Sequence, residues 1–185
     1  MNYANRDVEY STLRAYLLNG ATPICIHAHH ASGVTSFVRK RMQDVCISLF
    51  GPNIFYIDAS IKKNLSELLL TCLVQSEQLV DLQKFADKKW GEHANSILSS
   101  ALEGIPYVGP VIGRLVERRT AVPLYTGVYS SAMEELLVHF FRKTEHRSLI
   151  VIDAVELLPE SSFDLLINLL KDEVVQCLLI QTAES

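Results

Sequence analysis

Basic residues are not in excess. The chain sets 17 lysines and arginines against 21 aspartates and glutamates, a formal charge of −4, and so has no overall electrostatic footprint for non-specific nucleic-acid binding. No run of 18 uninterrupted apolar residues occurs, which argues against a membrane-spanning helix. The opening MNYANRDVEYSTLR lacks the basic-then-apolar order of a secretory leader. Its four cysteines (Cys25, Cys46, Cys72, Cys177) make no C-x-x-C pair. Cys25 and Cys177 fall inside apolar, strand-like runs, where cysteine is usually a small buried hydrophobe. Reduced thiols and a cytoplasmic location are therefore expected. There is no internal repeat and no low-complexity tract. Glycine and proline are sparse, eight and six residues, yet the single stretch 101–127 holds four and three of them.

What is present is a globular composition, 49% hydrophobic and 21% charged, in 185 residues. That length suits one domain, 1–185, with a real core. Tyr10, Leu13, Tyr16, Leu17 and Leu18 are spaced as on a helix, so 1–20 reads as a lead-in helix on the domain edge, stopped by Asn19-Gly20. A short buried strand (Ile24, Cys25, Ile26) follows, then a loop, then a helix opening near Gly33 with Phe37, Val38, Met42, Val45, Cys46 and Leu49 on one side. Residues 53–58 (NIFYID) form a second strand. Residues 64–83 are a leucine-rich helix capped by Asn64 or Ser66, and 84–100 continue as a more polar helical stretch. The Gly/Pro density of 101–127 excludes one regular helix and marks an apolar insertion. Residues 129–143 return to helical spacing. The strongest strand is 148–155, SLIVIDAV; a helix over 160–172 and a last strand, 174–182, close the pattern. Strands alternating with helices, some strands apolar throughout, predict a parallel sheet covered on both faces.

The stretch with the most chemistry in it is Ala28-His29-His30-Ala31-Ser32-Gly33-Val34-Thr35, followed by Ser36. A loop of small residues lets backbone N–H groups converge on a phosphate, and a helix start adds about half a positive charge. Against the pattern G-x-x-x-x-G-K-[ST], Gly33 and Thr35 match, Ala28 replaces the first glycine, and Val34 stands where a lysine is required. Ligands in open α/β sheets lie beyond the carboxyl ends of the strands. That gathers this loop, Asp58 with Ser60, Asp153 and Thr182 on one rim. Thr35 and Asp153 are the hydroxyl and carboxylate that a magnesium ion bridging nucleotide phosphates would want.

In that order of elements the chain resembles the AAA+ and signal-transduction (STAND) branch of P-loop NTPases, over most of residues 20–182. The resemblance implies a three-layer parallel sheet of at least four strands flanked by helices, with 148–155 directly beside 24–27. It also implies ATP with Mg2+ as cofactor, Asp153 as the Walker B aspartate, and Thr182 or Gln181 as a polar sensor of the γ-phosphate. The departures are as informative. Val34 removes the phosphate-clamping ammonium, while Arg39 and Lys40 lie more than a turn further on and should point away. Ala154 takes the place of a water-activating glutamate, leaving Glu156, two residues further on, as the catalytic stand-in for it. Efficient hydrolysis is thus not expected, and a helical lid and fifth strand implied by the resemblance do not follow in the 185 residues.

Competing readings stay open at this point. The leading one is a nucleotide-binding regulatory domain; the alternative is a pseudo-ATPase interaction or scaffold module that binds no nucleotide. A metal-dependent hydrolase on His27, His29 and His30 is a third. Asp58 reads as a cap or a hydrogen-bonding partner for the loop. Arg114, Arg118 and Arg119 are either phosphate or partner contacts, or a charged rim. Segment 101–127 is either packed insertion or a surface for self-association, a protein partner or a membrane. Trp90 and the leucine stripes read as core.

Overall fold

In the computed structural model of the chain, the residues described are 6–29, 32–61, 63–76, 78–91, 98, 102, 126–143, 147–171 and 173–183, with backbone alone at 126–130 and 183. Helix α1 (Asp7–Leu18) precedes strand β1 (Ile24–His29). A short α2 (Val34–Ser36), a π-helical turn (Phe37–Arg41) and α3 (Gln43–Phe50) lead to β2 (Ile54–Asp58). Helices α4 (Leu65–Gln75), α5 (Leu79–Trp90) and α6 (Thr126–Lys143) come before β3 (Ser148–Asp153). Helix α7 (Phe163–Leu170) and β4 (Val175–Ala183) complete the fold.

The four strands among the described residues are all parallel, in the order β1-β4-β3-β2. The connection from β1 steps over two strand positions, and the later ones step back the other way. Right-handed crossovers must then put the two sets of helices on opposite faces. The packing agrees. Leu13 and Leu17 of α1 and Val45, Cys46 and Phe50 of α3 bury against Ile24, Leu149, Val151, Leu178 and Ile180. Helices α4 to α7 bury Leu69, Leu73, Leu82, Leu137, Phe141 and Leu166 against Phe55, Ile57, Ile150, Ile152 and Cys177. Strand residues alternate between these two clusters with period two, as a sheet covered on both sides requires. The result is a three-layer α/β fold.

Several expectations are corrected. Residues 148–155 and 24–27 share one parallel sheet but are not neighbours, because β4 returns into the gap between β1 and β3. The leucine-rich stretch 64–83 is two helices, broken after Gln75 and resumed at Leu79. Asn64 sits at the N-cap of α4 without making the cap bond; the Ser162 hydroxyl accepts from the Leu65 N–H at 2.9 Å instead. The helix after the loop does bury Phe37, Val38, Met42, Val45 and Cys46, but through a π turn in which the Met42 N–H donates to the Phe37 carbonyl at 3.2 Å. The wider turn absorbs the four- and five-residue steps to Met42 that an α-helix would fan around its axis.

Cys25 is exposed, not buried. Strand β1 pairs only with β4, and the face bearing Cys25, His27 and His29 has no helix over it among the described residues. The seam behind it is pinned: the Gln176 side chain donates to the Ala21 carbonyl at 2.9 Å, and the Thr22 hydroxyl accepts from the Cys177 N–H at 3.1 Å. Among the described residues no helix is long and apolar enough to cross a membrane. Leu102 is buried in the larger cluster, and the backbone of Thr126 and Gly127 opens α6. The rest of 101–127, with Arg114, Arg118 and Arg119, lies outside the described residues.

Candidate functional site

The site is assembled at the carboxyl ends of the strands, on the face that carries α1 and α3. Leu149 and Val151 of β3 point to that face, and period two sends Asp153 the same way. The same counting through Ile54 and Tyr56 brings Asp58, which is in register with Asp153 on the neighbouring strand. Asp58 is occupied locally: it accepts from the Ser60 N–H at 3.0 Å and the Ser60 hydroxyl at 2.6 Å. It caps its own turn, and among the described residues its hydrogen bonds are these two.

Thr35 and Asp153 meet. The Thr35 hydroxyl donates to Asp153 Oδ2 at 2.5 Å across 118 residues of sequence. With β4 between them, β1 and β3 are about 9–10 Å apart, two strand spacings. This hydrogen bond joins the helix that follows β1 to the end of β3 across that distance. The other carboxylate oxygen, Oδ1, accepts from the Ala154 N–H at 3.0 Å. Ala154 itself is left-handed, with φ 53° and ψ 47°, a conformation that costs an L-residue roughly 1–2 kcal/mol. The strained turn bends the chain away directly after the carboxylate.

The loop is shorter than the sequence suggests. Ala28 and His29 belong to β1, paired with Thr182 and Ala183, so the connection proper starts at His30. His30 and Ala31 lie outside the described residues. The Ser32 N–H donates to the His29 carbonyl at 3.1 Å. Gly33 is the N-cap of α2 at φ 73°, ψ 19°, where a Cβ would meet nothing within 4 Å but the backbone would be strained. Val34 is half-buried and packs toward the smaller cluster; Ser36 is half-buried as well. The first-turn N–H groups of Val34, Thr35 and Ser36 have no acceptor within their own helix, as at any helix start.

Arg39 lies over the Tyr56 ring at 5.4 Å, and Lys40 is exposed. The cation that reaches the loop comes from elsewhere. Arg6, the N-cap of α1, donates from its guanidinium to the Ser32 carbonyl and lies 5.5 Å from the centre of the Phe37 ring. Nothing in the sequence pattern marks Arg6, because the contact is tertiary. A cavity of about 500 Å3 opens here, walled by Arg6, Thr12 and Tyr16 on one side and by β1, Ser32 and Val34 on the other.

Glu156 sits in the turn after β3. Both its oxygens lie 3.3 Å from the Thr182 N–H, which donates to them. It therefore ties the end of β4 to β3, and Thr182 and Gln181 do stand at the carboxyl rim. His27 and His29 share the exposed face of β1, and among the described residues no group of three or more His, Cys, Asp or Glu is placed to hold a metal ion. Burial pushes the Cys46 and Cys72 thiols up to about 11 and that of Cys177 to about 12; these are packing groups. Compared with protein-family models, curated proteins and solved structures, the chain matches none.

Proposed function

We propose that the chain is an ATP-binding regulatory domain built on the P-loop plan, with hydrolysis slow or absent. The observation that carries this reading is the 2.5 Å hydrogen bond between Thr35 and Asp153. It joins the hydroxyl at a helix start to the carboxylate at the end of an apolar strand, the two protein ligands of magnesium in P-loop NTPases. Magnesium prefers oxygen ligands and is commonly held by one or two protein groups together with substrate phosphates. Thr35 and Asp153 fit that demand, and Mg2+ would supply charge neutralisation between β- and γ-phosphates. The first-turn N–H groups of α2 would hold the phosphates, with Ser32 and Gly33 shaping the approach. The cavity beside them has room for a nucleoside.

The same geometry argues against fast turnover. Val34 supplies no charge, and Ala154 supplies no base. The Glu156 carboxylate is engaged by the Thr182 backbone. Removing one transition-state stabiliser typically costs about a hundred- to a thousandfold in rate. The packing of Val34 toward the core favours the second reading, a scaffold that keeps the fold and binds no nucleotide.

Calorimetric titration with Mg·ATP, repeated on Thr35→Ala, decides between them. The reading expects micromolar binding that weakens in the variant. It also expects thermal stabilisation, which for ATP at a hundred times Kd would be about 2.7 kcal/mol. Absence of heat and of thermal stabilisation at millimolar ATP would leave the scaffold.

A further inference from the structure

We propose that Arg6 supplies, from the lead-in helix, the positive charge at the phosphate loop that Val34 cannot. The inference rests on the nucleotide-binding reading and adds the residue that makes it electrostatically workable. A phosphate chain needs a cation beside the loop as well as backbone N–H groups. On the loop's own element Val34 is apolar, Arg39 is over Tyr56, Arg41 pairs with Asp7 and Lys40 is exposed.

Arg6 is already in place. Its guanidinium donates to the Ser32 carbonyl and lies over Phe37, the residue that follows α2. Among the described residues no carboxylate pairs with it. A guanidinium has five N–H donors in a planar fork, so the bond to Ser32 leaves most of them for an anion. The side chain also lines the cavity beside the loop.

Arg6 is thus an anion contact carried on α1 and held at the loop by the Ser32 carbonyl. Because it belongs to α1, nucleotide affinity depends on how α1 is docked. The contacts that dock it are Leu13 and Leu17 in the smaller cluster and the Asp7 carboxylate with Arg41 at 3.3 Å.

The test is Mg·ATP titration of the whole chain as wild type, Arg6→Gln, Arg6→Lys and the double variant Arg6→Gln with Val34→Lys, with melting temperatures taken alongside. Glutamine keeps a polar side chain with N–H donors and removes the charge. The expected result is a loss of roughly tenfold to a hundredfold in affinity for Arg6→Gln without a fall in melting temperature. Arg6→Lys should stay within a few-fold of wild type, and a lysine returned at position 34 should restore binding. Wild-type binding with an unimpaired Arg6→Gln overturns the proposal and spares the nucleotide reading. So does Arg6→Lys as weak as Arg6→Gln, or a double variant that does not recover. Wild type that binds no Mg·ATP overturns both.

Discussion

Replacing Thr35 by valine keeps the branched shape and removes the hydroxyl that Asp153 accepts. The bond is short, 2.5 Å, in the range of charge-assisted O–H···O bonds. Hydrogen bonds to charged groups contribute about 1.5–3 kcal/mol when both partners are desolvated. Both side chains here are half-buried, so the orphaned carboxylate oxygen regains some water, and Oδ1 keeps the Ala154 N–H. The worked expectation is a loss of about 1–2 kcal/mol, or about 2–8 °C in melting temperature for a chain of this size. A double-mutant cycle with Asp153→Ala, followed by urea denaturation, isolates the pair. The coupling energy should be about 1–2 kcal/mol, and Thr35→Ser should recover most of the loss. Additivity of the two single changes to within about 0.5 kcal/mol would refute the reasoning, because it would mean the two groups do not share their free energy. Running the same variants through Mg·ATP titration separates a purely architectural bond from a ligand-binding one: the first predicts altered stability with unaltered affinity, the second a fall in both.

Other outcomes are as specific. Gly33→Ala should cost about 1 kcal/mol from backbone strain alone, since its Cβ would enter open space; a neutral result in urea denaturation would contradict the left-handed N-cap. Ala154→Gly should leave stability unchanged or raise it by less than about 1 kcal/mol, whereas Ala154→Val should lower it, as read by the same denaturation midpoint. Phe141→Ala should cost about 3–5 kcal/mol, because the ring is fully buried and packs edge-on against Phe55 and Phe140. Thiol labelling of the native protein should modify Cys25 first and leave Cys46, Cys72 and Cys177 until unfolding. The raised thiols also set an alkaline limb: they favour the neutral form in the fold, so stability is full below their ordinary value of 9.0 and falls as pH rises from there toward about 11 to 12. A denaturation midpoint that holds constant over that window would contradict the burial of these thiols.

The parts of the fold legible in the sequence are those where burial is symmetric. Strands β3 and β4 are covered on both faces, so their apolar runs are uninterrupted and their placement followed directly. Strand β1 is covered on one side and reads differently. Ile24, Ile26 and Ala28 alternate with Cys25, His27 and His29, the pattern of a strand covered on one side, and it extends the strand through Ala28 and His29. The pairing of Thr35 with Asp153 was readable from residue types and topology. The insertion of β4 between their strands was not, because strand order depends on the direction of each crossover, and composition does not record it. The break between α4 and α5 was hidden by leucines that continue the stripe on both sides. Arg6 was hidden for a different reason: a lone arginine at a helix start has no periodicity, and its meaning appears only when α1 lies against the loop.

Among the described residues β1 pairs on one side alone, and isotope exchange should register it. In an edge strand of a parallel sheet, alternate residues turn both N–H and C=O away from the neighbour. Strand β3, flanked by β2 and β4, has every amide of its central residues inside a ladder. Deuterium should therefore enter β1 as a comb, every second amide fast and its neighbours slow, while β3 exchanges only with opening of the sheet itself. A molecule that pairs along the outer edge of β1 would close the gaps in that comb before changing anything else in the protection map.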